Sequence, residues 1–99
     1  MTTKERAVLR GLASTMDDII IIGKGGITAN VVDETDKALA ARELVKGRVL
    51  EASLLTAREA LETLAARTGA EEVQHIGSKF VLYRANAKLP EGRRIKLTR

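Results

Sequence analysis

The residues of this sequence that could do chemistry are few, and the densest group is GKGG at positions 23 to 26. It follows four isoleucines, Ile19 to Ile22, a β-branched run suited to an extended, buried strand. Gly23, Gly25 and Gly26 permit backbone angles that other residues resist and let another backbone approach closely. Lys24 adds a mobile positive charge. Between a strand and a helix start, such a loop aims several backbone N–H groups and the positive end of a helix dipole at one point. An anion, most simply a phosphate, is the ligand this chemistry suits.

Two nucleotide motifs fail against these letters. The Walker loop needs Gly-Lys followed by Ser or Thr, and Gly25 stands there instead. The dinucleotide fingerprint needs a third glycine where Thr28 stands. What fits is G-x-x-G, Gly23 to Gly26, the loop that clamps a nucleic-acid backbone in KH domains. The plain alternative is a tight strand-to-helix turn without a ligand.

Acid–base and nucleophilic chemistry are poorly supplied. His75 is the only histidine and the chain has no cysteine, which excludes disulfides and thiolate metal sites. Strict alternation in EEVQHI puts His75 on Val73's face, as a packed sheet residue. Asp17 and Asp18 are adjacent and diverge if extended, so they form no catalytic carboxylate pair. The three serines, Ser14, Ser53 and Ser78, sit in no nucleophile elbow. The expectation is a non-enzyme that needs no metal, cofactor or small-molecule substrate.

The elements that must position the loop read clearly. Thr2 and Glu5 offer a capping box for a helix carrying Val8, Leu9, Leu12 and Ala13 inward. Residues 19–22 form the first strand. Thr28 is the N-cap of a second helix with a stripe of Val31, Val32, Thr35, Ala38 and Leu39. LVKGRVL alternates as a strand, Val45, Gly47 and Val49 on one side and Lys46 and Arg48 on the other. A third helix has Thr56 and Glu59 as its capping box and ends at Gly69. EEVQHI and KFVLYR flank Gly77-Ser78 as a hairpin. The order is α-β-α-β-α-β-β. Strand–helix–strand units imply parallel pairing and the hairpin adds an antiparallel edge, so a small α/β domain with a four-stranded mixed sheet is predicted.

At 99 residues, 44% hydrophobic and 30% charged, the chain suits one globular domain with a modest core. The start, MTTKERAVLRGLAS, does not read as a signal peptide, and no apolar run nears a membrane span, so a cytoplasmic protein without membrane contact is expected. Charge is uneven. Arg84 to Arg99 carry six basic residues against Glu91 alone, whereas the rest of the chain nets −1. A basic end of this kind suits a polyanion. Residues 1–85 are expected to form the folded domain and 86–99, with Pro90 and Gly92, a loose basic tail.

Several stretches in order, LRGLA, IIGKGGIT, ELVKGRVL, TGAEEVQHIG and FVLYR, resemble the CRM domain, the chloroplast RNA splicing and ribosome maturation module. The chain is most similar in kind to the family's stand-alone bacterial YhbY-type form. That resemblance implies a fold like the C-terminal domain of translation initiation factor three, and RNA binding associated with precursors of the large ribosomal subunit. Three positions depart from the family pattern. Asp17-Asp18 stands where many members carry a basic residue and proline, Arg42 replaces a frequent histidine, and Gly47 replaces a larger apolar residue.

The resulting expectation is an RNA-binding site of Gly23, Lys24, Gly25, Gly26 and Thr28, extended by Lys46, Arg48, Lys79 and Arg84. Phe80 and Tyr83 point to opposite faces of one strand and cannot make a paired stacking platform. Phosphate contacts should therefore dominate. The competing reading is a protein-interaction module that docks on ribosomal or other proteins without touching RNA, using the exposed helix side that carries Asp33, Glu34, Asp36 and Lys37.

Overall fold

A computed structural model describes residues 1–97. Helix α1 (Thr3–Ala13) opens with the expected box: Glu5 N–H donates to Thr2 Oγ1 at 3.0 Å and Thr2 N–H to Glu5 Oε1 at 2.9 Å. It buries Leu9 and Ala13, while Leu12 turns outward. The inner stripe is thus a narrower one, of residues four apart, than the spacing predicted, because the helix meets the sheet along a single ridge. Strand β1 (Ile20–Ile22) starts one residue later than predicted, although Ile19 N–H already bonds to Lys46 O at 2.9 Å. Helix α2 (Ala29–Arg42), strand β2 (Leu44–Val49) and helix α3 (Ala57–Thr68) follow. Strands β3 (Glu71–Ile76) and β4 (Lys79–Tyr83) close the fold, with a short 3-10 turn at Glu91–Arg93.

The sheet order is β1-β2-β4-β3, with β1 parallel to β2 and the other neighbours antiparallel. One face carries Ile20, Ile22, Val45, Val49, Phe80 and Leu82 against Leu39 of α2 and Ala60, Leu61, Leu64 and Ala65 of α3. Each large side chain removed from water there contributes about 1.5–3 kcal/mol, so this layer is the main source of stability. The other face carries Leu44, Val73, Val81 and Tyr83 beneath Leu9 and Ala13 of α1. Phe80 and Tyr83 do lie in opposite layers.

The packing leaves no room for a side chain at Gly47. A Cβ there would run into Phe80 Cζ, lie 2.7 Å from Phe80 Cε1 and 2.9 Å from Ile20 O. The aromatic ring occupies the space that a larger residue on β2 would fill.

A register shift between Glu72 and Gln74 interrupts the β3–β4 ladder. Beyond it Gln74 pairs with Val81 and His75 with Phe80. His75 therefore lies on the opposite face from Val73, contrary to strict alternation, and is exposed rather than packed. The extra residue of a bulge resets the alternation for everything after it.

The segment after Arg84 differs from the expected loose tail. Glu43, fully buried, accepts N–H bonds from Asn86 on Oε2 and from Ile95 on Oε1, both at 2.6 Å. Ile95 and Leu97 pack against the α1-side core. A buried carboxylate needs donors, and this returning segment supplies them. Glu43 is also the one non-glycine residue of positive φ among those described, at 64°, between α2 and β2. Thr98 and Arg99, the end of the predicted tail, lie outside the described residues.

Candidate nucleic-acid interface

The GKGG loop is built by the end of β1 and the start of α2. Gly26 N–H donates to Gly23 O at 3.0 Å, closing a turn with Lys24 and Gly25 at its tip. Gly26 has φ +70°, a conformation a side chain would strain. The loop rests on the connection after β2, since a Cβ at Gly23 would lie 3.8 Å from Leu50 Cδ1 and one at Gly26 would lie 3.9 Å from Leu55 Cδ1. Thr28 caps α2, its Oγ1 accepting Val31 N–H at 3.2 Å. The N–H groups of Ala29 and Asn30 have no acceptor among the described residues. No acidic residue occupies the first turn; Asp33 is engaged by Lys37 at 2.9 Å one turn further on. The hydrogen bond that Lys37 donates to Asp33, more than the carboxylate's charge, holds the Lys37 ammonium above its usual range. The positive helix end is left without a local counter-charge. Lys24 is exposed and makes no ion pair among the described residues.

Register decides which of the other predicted cations join this loop. Ile21, two residues before Gly23, pairs with Arg48, and Arg48 pairs with Lys79. These two cations stand side by side at the loop end of the sheet, on the part of the α1-side face that the helix itself leaves uncovered. Asp18 lies beneath them, its Oδ2 at 3.8 Å from Arg48 Nε and 3.5 Å from Lys79 Nζ. Its other oxygen, Oδ1, is buried with no hydrogen-bond donor among the described residues. Lys46 sits two positions back on the same face, half-buried, and donates to Ala13 O at 3.0 Å, capping the carbonyl end of α1. Its ammonium is committed to the fold.

Arg84 belongs to the opposite end of the sheet. It follows Tyr83, which pairs with Leu44 at the start of β2, whereas the loop follows Ile22, which pairs with Val49 at its end. Its guanidinium donates to Asp36 Oδ1 at 2.6 Å, Thr68 O at 2.7 Å and Asp36 O at 3.0 Å. Arg84 clamps α2 to the last turn of α3. The structure thus gathers Gly23, Lys24, Gly25, Gly26, Thr28, Arg48 and Lys79, with Lys46 at the margin, and sets Arg84 apart. Sequence reasoning missed the way Asp18 reaches Arg48 and Lys79. The acidic pair before the first strand was its one visible signal. No group of three or more His, Cys, Asp or Glu able to hold a metal occurs among the described residues. No helix among them is long and apolar enough to cross a membrane.

The profile of the CRS1 / YhbY (CRM) domain matches residues 1–84. The chain belongs to this family. A curated relative in Haemophilus influenzae, named RNA-binding protein, is 34% identical over 84 residues, covering 85% of each chain. The Bacillus subtilis "Probable RNA-binding protein YqeI" is also 34% identical, over 85% of this chain and 88% of the relative. A solution structure from Staphylococcus aureus, of a candidate RNA-binding protein, superposes with a TM-score of 0.79 at 41% identity and covers 99% of both chains. The CRM domain therefore accounts for the small α/β fold, three helices on a four-stranded mixed sheet.

Proposed function

We propose that this CRM-domain protein binds RNA through the Gly23–Gly26 turn and the adjoining Arg48–Lys79 pair, and that its RNA is precursor large-subunit ribosomal RNA. The observation that carries the reading is the α2 N-terminus: N–H groups at Ala29 and Asn30 and a Lys24 at the tip of the preceding turn that have no partner among the described residues, and no acid in the first turn. Such a site favours a phosphate oxygen over any neutral ligand. The relatives named as RNA-binding proteins support RNA as the source of that phosphate. With no stacking platform, affinity comes from phosphates and falls steeply with salt. The protein acts by binding, without catalysis, in the cytoplasm where ribosomal precursors are assembled.

The test is RNA binding across a salt series for the native protein and the Lys24→Asp/Gly25→Asp variant. A Cβ at Gly25 would meet only Thr28 Cγ2, at 3.8 Å, so the variant keeps its fold, which circular dichroism checks. Loss of binding with a flatter salt slope is expected. Association with large-subunit precursors on a gradient should vanish in the same variant. A folded variant that binds like the native protein sinks the loop's role.

A further inference from the structure

A cleft of about 240 Å³ opens between the end of α1 and the sheet, lined by Arg10, Ala13, Ser14, Lys46, Gln74, Ile76, Lys79 and Val81. Three of these are cations and none is a carboxylate. Lys46 is held by Ala13 O, Lys79 only loosely by Asp18 at 3.5 Å, and Arg10 makes no ion pair among the described residues. The floor is apolar: Ala13 and Val81 are buried beneath it, and Ile76 walls it with 65% of its surface exposed.

Gln74 is the informative residue. The register shift between Glu72 and Gln74 places it opposite Val81, on the α1 side, where uninterrupted alternation would have turned it to the other layer. Its side-chain amide has no hydrogen-bond partner among the described residues, although the residue is half-buried. Bulges often serve to re-aim a side chain toward a site. Here one re-aims an unused amide into a cationic cleft with an apolar floor.

We propose that this cleft receives one unpaired nucleotide of a bound RNA strand. The base lies on Ile76 and Val81, the Gln74 amide bonds its edge, and Arg10 and Lys79 hold the adjoining phosphate. Single-stranded RNA is read through such splayed bases, each packed on a side chain and hydrogen-bonded at its edge. The cleft is small beside the roughly 300–1,000 Å³ of drug-sized sites, which suits a single base. Lys79 connects it to the Arg48 pair and so to the GKGG loop, and the proposal rests on the RNA reading of that loop. It adds base preference to a surface whose other contacts are phosphate-driven.

The test is a titration of the full chain with the four nucleoside 5′-monophosphates, followed by NMR at the Gln74 side-chain amide and the Ile76 and Val81 methyls. One monophosphate is expected to shift these signals at a concentration about fivefold or more below the others, whereas inorganic phosphate leaves the methyls unmoved. Gln74→Leu should erase the preference among bases in both monophosphate and RNA binding, with the RNA salt slope unchanged. Ile76→Ser, at a largely exposed position, should weaken all four monophosphates alike while circular dichroism shows the fold kept. Absence of shifts at millimolar monophosphate, or an undiminished preference in Gln74→Leu, overturns the proposal. If monophosphates leave the cleft unmoved while RNA still binds through Lys24, the cleft fails and the loop stands. If RNA does not bind the native protein at all, the loop reading fails and the cleft proposal, which rests on it, fails with it, whatever the monophosphates do.

Discussion

Replacing Asp18 with Asn should make the protein bind RNA more tightly. Asp18 Oδ2 lies 3.5 Å from Lys79 Nζ and 3.8 Å from Arg48 Nε, so an incoming phosphate must compete with a resident carboxylate. At such separations a charge pair is worth about 1 kcal/mol in water. Arg48 and Lys79 are 46% and 45% exposed, so screening reduces the two pairs together to about 1 kcal/mol. That corresponds to a gain of about fivefold in affinity. Freeing the cations should also steepen the dependence of log K on log salt by about 0.7, the single-strand value for one more phosphate contact. Folding should hardly suffer, because Oδ1 is already buried without a donor among the described residues and Asn keeps the shape. Fluorescence anisotropy of a labelled RNA over a salt series, with thermal melts of both proteins, reads all three quantities. Equal or weaker binding by folded Asp18→Asn would refute the electrostatic reasoning. So would a gain that persists when Arg48 and Lys79 are both alanine.

Three further outcomes follow from the core and its buckle. Gly47→Ala places a methyl against Phe80 and 2.9 Å from Ile20 O; overpacking of this kind costs about 2 kcal/mol, a fall of roughly 8–16 °C in melting temperature. Phe80→Leu in the same chain should recover part of that loss. Glu43→Ala strands the N–H groups of Asn86 and Ile95, and should lower stability by about 2–4 kcal/mol while the Ile95 amide loses its protection from hydrogen exchange. Burial, then the Glu43 carboxylate, pushes the Tyr83 phenol above its usual range. A raised folded pKa means the folded state holds the proton more tightly, so its stabilisation is complete below about pH 10 and is lost as pH rises past it. Melts from pH 8 to 11 should show a shallower alkaline decline in Tyr83→Phe than in the native protein.

Most of the fold was legible because its signals are local. Thr2 with Glu5 and Thr56 with Glu59 close boxes three residues apart, Thr28 caps α2, Gly69 ends α3 in a left-handed conformation, and Gly77 turns the hairpin with φ +56°. Each needs only a few neighbouring side chains and one backbone geometry. The GKGG turn belongs to the same class, its closing bond spanning Gly23 to Gly26. The resemblance to the CRM family was legible as well, since it lies in the order of short motifs.

Charge count was legible and charge position was not. The sequence alone determined that a lysine-bearing glycine turn precedes a capped helix, and that basic residues are in excess toward the chain's end. Tertiary structure decided which cations that turn meets. Arg48 and Lys79 become neighbours only through the β2–β4 register, and Asp18 reaches them from before β1. Arg84 is drawn to Asp36, 48 residues away, at the other end of the sheet. Glu43 gathers Asn86 and Ile95 from the far end of the chain. The bulge at Glu72/Gln74 changes which face Gln74 and His75 occupy. Spacing along a chain encodes contacts within a turn or two, where the backbone fixes the geometry. Contacts across a sheet depend on strand order and register, which are set by how all the buried side chains pack together.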